Sequence, residues 1–241
     1  MPTRWGDSII ISDVDARSSS QDGSQLVQAP NGRQTVELMS THRELTAGAV
    51  FEGQTFDKLD LAAADLSRKE FIRCVFRNLK LPDTKWQQTR LEDCLFEECD
   101  LSNMRPQQMA LRGVRFSQCK LLGVQWTDVA SAPMVSFVDC MMRYQSFGSI
   151  KLPNTHFVRC SIIDSTFVDV DLSKSIFDDC DLAKTQFERC TLVGTDFSAS
   201  RGVYFDTTKN RIKSARISVE TAASMAIALG LRVSGYATTD D

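Results

Sequence analysis

Between Phe56 and Phe197 a large apolar residue returns at every fifth position. The stretch CSIIDSTFVDVDLSKSIFDDCDLAKTQFERCTLVGTDF, residues 160–197, shows the rule: Ile162, Phe167, Leu172, Phe177, Leu182, Phe187, Leu192, Phe197. Five is the period of neither an α-helix (about 3.6) nor a flat strand (2), so neither element alone accounts for it. All eight cysteines (74, 94, 99, 119, 140, 160, 180 and 190) sit two positions before one of these apolar centres. The other residues at that offset are mostly small or apolar, such as Val114, Ser165, Val170, Ser175, Thr185 and Thr195. In extended backbone, residues two apart point to one side and the residue between points away. Each unit of five is therefore a short extended piece with two inward side chains, followed by a turn. The residue between the two is often charged, as at Asp60, Asp65, Glu70, Asp100, Lys120, Asp171, Asp181 and Asp196.

A longer step says how the units close. Counting by twenty, with one inserted residue, gives Phe56, Phe76, Phe96, Phe116, Phe137, Phe157, Phe177 and Phe197, all phenylalanine. Four units thus make one coil, and like stacks on like. The spacing predicts an all-β solenoid with a four-sided cross-section, about seven coils high and roughly 34 Å long at a strand spacing of ~4.8 Å. Such a rod needs caps on its exposed backbone ends. After a connector at 201–216, ISVETAASMAIALG reads as a helix over 217–230. Ser218 is its N-cap, Glu220 lies in its first turn and Gly230 is its stop. Val219, Ala222, Ala226 and Leu229 form one apolar stripe, and Met225, Ile227 and Ala228 widen it. A helix apolar on more than one side buries more than one side, one against the rod and one against a second copy. Residues 1–45, rich in Gln, Ser, Asp and Gly, lose the pattern and read as a polar, flexible tail with a short strand at Ser8–Ser12. Residues 231–241 form a short C-terminal tail.

Two interruptions mark the 46–200 repeat. In WTDVASAPMVSF one extra residue separates Trp126 from Phe137. The segment Thr127, Asp128, Val129, Ala130, Ser131, Ala132, Pro133 and Met134 is then either a corner bulge or a projecting contact loop. At Pro106 a proline occupies a centre, which implies a kink or a side lacking regular ladder bonds.

Little in the sequence points to catalysis. The two histidines, His42 and His156, accompany no nucleophile, and no phosphate-binding loop, GxSxG or HExxH occurs. The inward cysteines read as reduced thiols filling a narrow core rather than as metal ligands or disulfides. No enzyme, cofactor or metal is expected. A net charge of −3 announces neither a nucleic-acid binder nor a membrane binder. No apolar run is long enough to span a bilayer, and the start lacks the apolar core of a signal peptide. The expected compartment is the cytoplasm. Charge is nevertheless uneven: Asp164, Asp169, Asp171, Asp178, Asp179 and Asp181 fall within eighteen residues beside a single Lys174. Those six read as an acidic strip for a basic groove on another protein.

CDLAKTQFERCTLVGTDF resembles the pentapeptide-repeat family, whose consensus is A(D/N)LXX, and the resemblance covers roughly residues 51–200. It implies a right-handed quadrilateral β-helix. CKLLGVQWTDV and DTTKNRIKSARISVETAASMAIALGL are similar to the subgroup holding Qnr-type quinolone-resistance and albicidin-resistance proteins. That resemblance implies a DNA mimic that binds a type II topoisomerase, DNA gyrase or topoisomerase IV, and protects it from a drug or toxin. It also implies a homodimer through Val219, Ala222, Ala223, Ala226, Ile227 and Leu229, and contacts from the 127–134 loop and the six aspartates. Residues 51–200 carry 21 acids and 18 bases, a net of −3. About 34 Å of duplex holds about twenty negative charges, so only one side of the rod can imitate DNA. Two other readings stand beside this one: a general interaction scaffold, and a secreted effector whose N-terminal segment is a translocation signal.

Overall fold

The computed structural model describes Leu45, residues 47–130 and residues 132–234. Of the expected tail at 1–45 they include only Leu45, which is buried in the core; its strand at Ser8–Ser12, His42, Thr46, Ser131 and the last seven residues lie outside them. Within them the chain is a parallel solenoid with four sides, taken here in chain order. The first side is a four-stranded sheet of β1 (Val50–Glu52), β3 (Glu70–Ile72), β5 (Arg90–Glu92) and β7 (Ala110–Arg112). The second is a seven-stranded sheet of β2 (Thr55–Asp57), β4 (Val75–Arg77), β6 (Leu95–Glu97), β8 (Val114–Ser117), β10 (Val135–Val138), β12 (His156–Val158) and β14 (Ile176–Asp178). The third side, centred on Leu61, Leu81 and their successors, is laddered by single bridges such as Asp60–Lys80 and Asp100–Lys120. The fourth carries β9 (Gln125–Trp126), β11 (Ser146–Gly148), β13 (Thr166–Val168) and β15 (Gln186–Glu188).

The twenty-residue step is the register itself: Phe56 pairs with Phe76, Phe76 with Phe96 and Phe157 with Phe177. The rings of the second side stack with centroids 4.4–5.3 Å apart from Phe56 to Phe197. Side chains at the other predicted centres are buried as well, Trp86, Leu101, Leu121, Ile162 and Leu182 among them.

The right-angle turns have one cause. Two positions after nearly every centre the backbone enters the left-handed region, at 25 non-glycine residues with φ between 50° and 60°. That region costs an L-residue about 1–2 kcal/mol and suits β-branched side chains least. None of the 25 is Val, Ile or Thr. The period of five is thus three residues of extended side, one leading into the turn, and one in the left-handed corner. Lys174, exposed at φ 58° and donating its N–H to Val193 O at 2.9 Å, tests the rule. Lys174→Val is expected to lower the unfolding free energy by about 1–2 kcal/mol, with Lys174→Gly neutral or stabilising, by urea denaturation. Equal behaviour of the two variants would refute the corner argument.

The offset occupied by cysteine has a chemical reason as well as a steric one. Cys119 Sγ lies 3.5 Å from Phe96 O, Cys180 Sγ 3.3 Å from Phe157 O and Cys190 Sγ 3.2 Å from Phe167 O. Ser175, Thr195 and Ser200 donate their hydroxyls to the equivalent carbonyls of Leu152, Leu172 and Phe177 at 2.6, 2.8 and 2.8 Å. Carbonyls of the preceding coil's centres thereby gain partners in a dry interior, where an unpartnered one is costly. Cys, Ser and Thr are small enough for that place and also carry a donor. All eight cysteines are free and buried. Burial pushes the Cys94 thiol up from 9.0 to about 11. A thiol whose folded pKa is raised contributes stability below its unfolded pKa, and that contribution vanishes as pH climbs to the folded value. The unfolding free energy from urea titration should therefore fall between about pH 9 and 11, by about 2–3 kcal/mol for this residue, and fall less in Cys94→Ser. Parallel pH profiles for the two proteins would contradict this.

The structure gives definite form to three segments. The connector at 201–216 is a last, irregular turn on the rod. Arg211 and Arg216 bridge Thr191 and Asp196, and Leu192 N and Phe197 N donate to Arg211 O and Arg216 O at 2.7 and 2.8 Å. Asn210 takes the cysteine offset and bonds Cys190 N and Phe187 O. Pro106 is buried at its centre, where it lacks the N–H by which Trp86 on the same side bonds Arg105 O; this side carries only the single bridges Asp65–Lys85 and Lys85–Arg105 until its strands begin at Gln125, as the proline implied. The described residues of 127–134 form a tied-down bulge that takes the place of one strand of the first side. Ala130 N donates to Met109 O at 2.9 Å and Met134 N to Leu111 O at 2.9 Å, while Pro133 is buried. The extra residue is absorbed before Val135, which pairs with Val114, so Phe137 returns beneath Phe116.

Candidate interaction surface

Among the described residues no group of three or more His, Cys, Asp or Glu is placed to hold a metal, and no helix is long and apolar enough to cross a membrane. The rod's filled interior directs attention to its outside, which is ordered by the coil step. A charge at one position has its neighbour twenty residues on, and these neighbours pair. Lys80 meets Asp60 at 3.5 Å, Lys120 meets Asp100 at 3.1 Å and Arg201 meets Asp181 at 2.8 Å along the third side. Arg77–Glu97, Arg159–Asp139, Arg189–Asp169 and Arg216–Asp196 do the same at 2.6, 2.6, 2.8 and 2.8 Å elsewhere. Arg189 and Arg159 hold the Asp169 and Asp139 carboxyls below their ordinary range by hydrogen bonds. Each exposed pair adds little stability, but each cancels charge where it forms.

The six aspartates of the expected acidic strip do not make one face. Eighteen residues are nearly one coil, so they wind around the rod. Asp171 lies on the first side, bridged between Lys151 and Thr191, and accepts from Ser173 N and Oγ. Asp169 sits at the corner between the fourth and first sides, paired with Arg189. The other four gather on the opposite flank, around the third side. Asp178 ends β14, Asp179 turns the corner at φ 51°, Asp181 bridges Ser161 and Arg201, and Asp164 occupies the far corner at φ 52°. Asp178 and Asp179 are exposed and, among the described residues, take part in no ion pair, a state shared by Asp83, Asp93, Glu98 and Asp128; what sets the two apart is that they are adjacent and lie beside Asp181 and Asp164 on one flank. Asp179 also enters a groove of about 430 Å³ between the last coil and the C-terminal helix, lined in addition by Ser198, Arg201, Ser218, Glu220 and Thr221.

Above these carboxylates, on the same side, the charge ladder is broken. Met141 and Ser161 occupy the column that elsewhere carries Asp and Lys or Arg. The loop residues stand elsewhere: Met134, 62% exposed, lies at the corner between the first and second sides, and Thr127, Asp128 and Ala132 are exposed beside half-buried Val129 and Ala130.

The helix spans Val219–Ala228 and is capped as its sequence predicts, Ser218 Oγ accepting from Thr221 N at 3.0 Å. Of its apolar set, Ala223 turns inward and is buried against the rod, which removes it from any second interface; Ala226 and Ile227 are half-buried. Val219 and Leu229 are 79% and 72% exposed, with Ala222 exposed between them.

A family model for the pentapeptide repeat region matches residues 48–126 and 69–147. Among solved structures, two trypsin-treated forms of QnrB1, a plasmid-mediated fluoroquinolone resistance protein, share the fold. One superposes with a TM-score of 0.57 at 18% identity over 77% of this chain and 98% of that one. The other gives 0.56 at 19% identity over 76% and 89%. At that identity the likeness is one of fold. No curated protein matches the sequence.

Proposed function

With residues 48–147 a pentapeptide-repeat region, wound with the rest of the rod into a parallel β-helix, we propose that the protein is a non-catalytic binding rod for a bacterial type II topoisomerase, DNA gyrase or topoisomerase IV, which it shields from a drug or toxin in the cytoplasm. The observation that carries the reading is the flank formed by Asp164, Asp178, Asp179 and Asp181. Net charge along the rod is too small to imitate DNA all round. One flank with carboxylates left unpaired at Asp178 and Asp179 offers a basic DNA-binding groove a local substitute for phosphates. The shared fold with QnrB1, a fluoroquinolone resistance protein, is in keeping with shielding from a drug. The coil-to-coil pairing of the remaining charges favours a second reading, a scaffold whose charged sides only keep it soluble. Supercoiling by gyrase in the presence of a fluoroquinolone or albicidin, titrated with this protein, separates the two. Restored supercoiling supports protection; no effect on gyrase or topoisomerase IV at micromolar protein leaves the scaffold.

The exposed Val219, Ala222 and Leu229 belong to the same proposal as a dimer seam, since a row of large apolar side chains at a rod end is rarely left in water. Leu229→Asp should convert a dimer to a monomer by light scattering while leaving the circular dichroism of the rod unchanged. A wild-type monomer at 50–100 μM, on the order of a weak dimer's Kd, would remove the seam.

A further inference from the structure

On the third side, one coil above Asp164 and two above Asp181, the surface changes character. Met141 bridges Lys120 above and Ser161 below, and Tyr144 N donates to Ile163 O at 3.1 Å. Met141 and Tyr144 are 47% and 58% exposed, with half-buried Leu122 and Ile163 in the flanking column. Tyr144 is the one aromatic residue among the 25 non-glycine left-handed corners, at φ 60°. A bulky side chain in that conformation is uncommon and is held there at a cost in strain, and such strain concentrates at binding sites. Beside it, the guanidinium carbon of Arg143 lies 5.9 Å from the Tyr144 ring centroid. Arg143 Nε is buried and has no hydrogen-bond partner. Tyrosine, methionine and arginine on an apolar floor are the residues that dominate protein–protein interfaces.

We infer that Leu122, Met141, Arg143, Tyr144 and Ile163 form a second contact with the topoisomerase, one that receives an apolar side chain flanked by a carboxylate. The inference rests on the function proposed above and extends its acidic flank upward along the same side. Two features fix the occupant's chemistry. The apolar ground needs an apolar knob, and the half-buried Arg143 guanidinium, which takes part in no ion pair among the described residues, favours a carboxylate of an Asp or Glu beside it. Asp164 and Asp181 below, and the paired Lys120 above, bound the patch, so its occupant is a protein side-chain cluster rather than a phosphate chain.

The test measures binding of the full-length protein to purified gyrase holoenzyme, with topoisomerase IV in parallel. Met141→Ser/Tyr144→Asn keeps a residue suited to the left-handed corner and should weaken binding by about thirtyfold, the scale of an interface hot spot, without lowering the thermal midpoint. Arg143→Gln serves as a second variant if the first loses its fold, and should weaken binding by about tenfold. Tyr204→Ser, an exposed tyrosine on the last turn, should stay within twofold of wild type. Wild-type binding with both patch variants within twofold overturns this inference and leaves the proposed function standing. Wild-type protein that binds neither enzyme overturns both. Equal weakening by Tyr204→Ser, or a self-associating wild type made monomeric by the patch variants, overturns the assignment of this patch to the topoisomerase.

Discussion

Phe157→Ala is expected to lower the unfolding free energy by about 3–5 kcal/mol, the range for removing a buried phenylalanine. Phe157 is fully buried and sits mid-column, its ring 5.2 Å from Phe137 and 4.5 Å from Phe177, both stacked. Truncation forfeits the transfer free energy of the ring and both ring–ring contacts, each worth about 0.5–1.5 kcal/mol. The parallel ladder above and below fixes the backbone, so the cavity has little freedom to close. Phe157→Leu should cost much less, because leucine already fills the equivalent place on neighbouring sides at Leu152, Leu172 and Leu182. Since each coil touches only its neighbours, a mid-rod defect divides the stack. Urea titration followed by circular dichroism should then show either a lower midpoint or two separated transitions. A loss under about 1 kcal/mol for the alanine variant would mean that the column is not the core's main source of stability.

The fold was legible because its repeat is written twice, at five for the unit and at twenty for the coil. Which side chains point inward followed from those two numbers, including the return of Phe137 after the inserted residue. The corners were not read, although the absence of Val, Ile and Thr two places after each centre is visible in the sequence; the missing link was the left-handed backbone that excludes them. From sequence the cysteine column is only filler; its donor role depends on the position of the carbonyl above it. The acidic strip failed as a single face for a geometric reason. On a solenoid, residues close in sequence travel around the rod, and only residues a coil apart lie side by side. Asp169 and Asp171 are thus carried away from Asp178, Asp179 and Asp181, while Arg189 and Arg201, distant in sequence, arrive to neutralise Asp169 and Asp181. The same arithmetic hid the apolar ground of Leu122, Met141, Tyr144 and Ile163, whose members come from three successive coils.

Position on the rod, and not total charge, should decide the effect of charge reversal. Asp178→Lys/Asp179→Lys and Asp169→Lys/Asp171→Lys each shift net charge by the same amount, on opposite flanks. If the proposed flank meets a basic groove, the first variant should need at least about thirtyfold more protein to restore supercoiling, since reversing unpaired interface carboxylates turns an attraction of a few kcal/mol into a repulsion. The second should protect like wild type, having lost only exposed, paired or locally bonded carboxylates of small energetic weight. The wild-type effect should also weaken between about 50 and 200 mM salt, as contacts between charged surfaces do when screening shortens their reach. Equal loss in the two variants would mean that the enzyme senses overall charge, and the flank would lose its special role. Loss in the second alone would move the contact to the first side, where Lys151, Asp171 and Thr191 ladder the surface. Only the first pattern ties the surviving carboxylates of Asp178 and Asp179 to the protein's work.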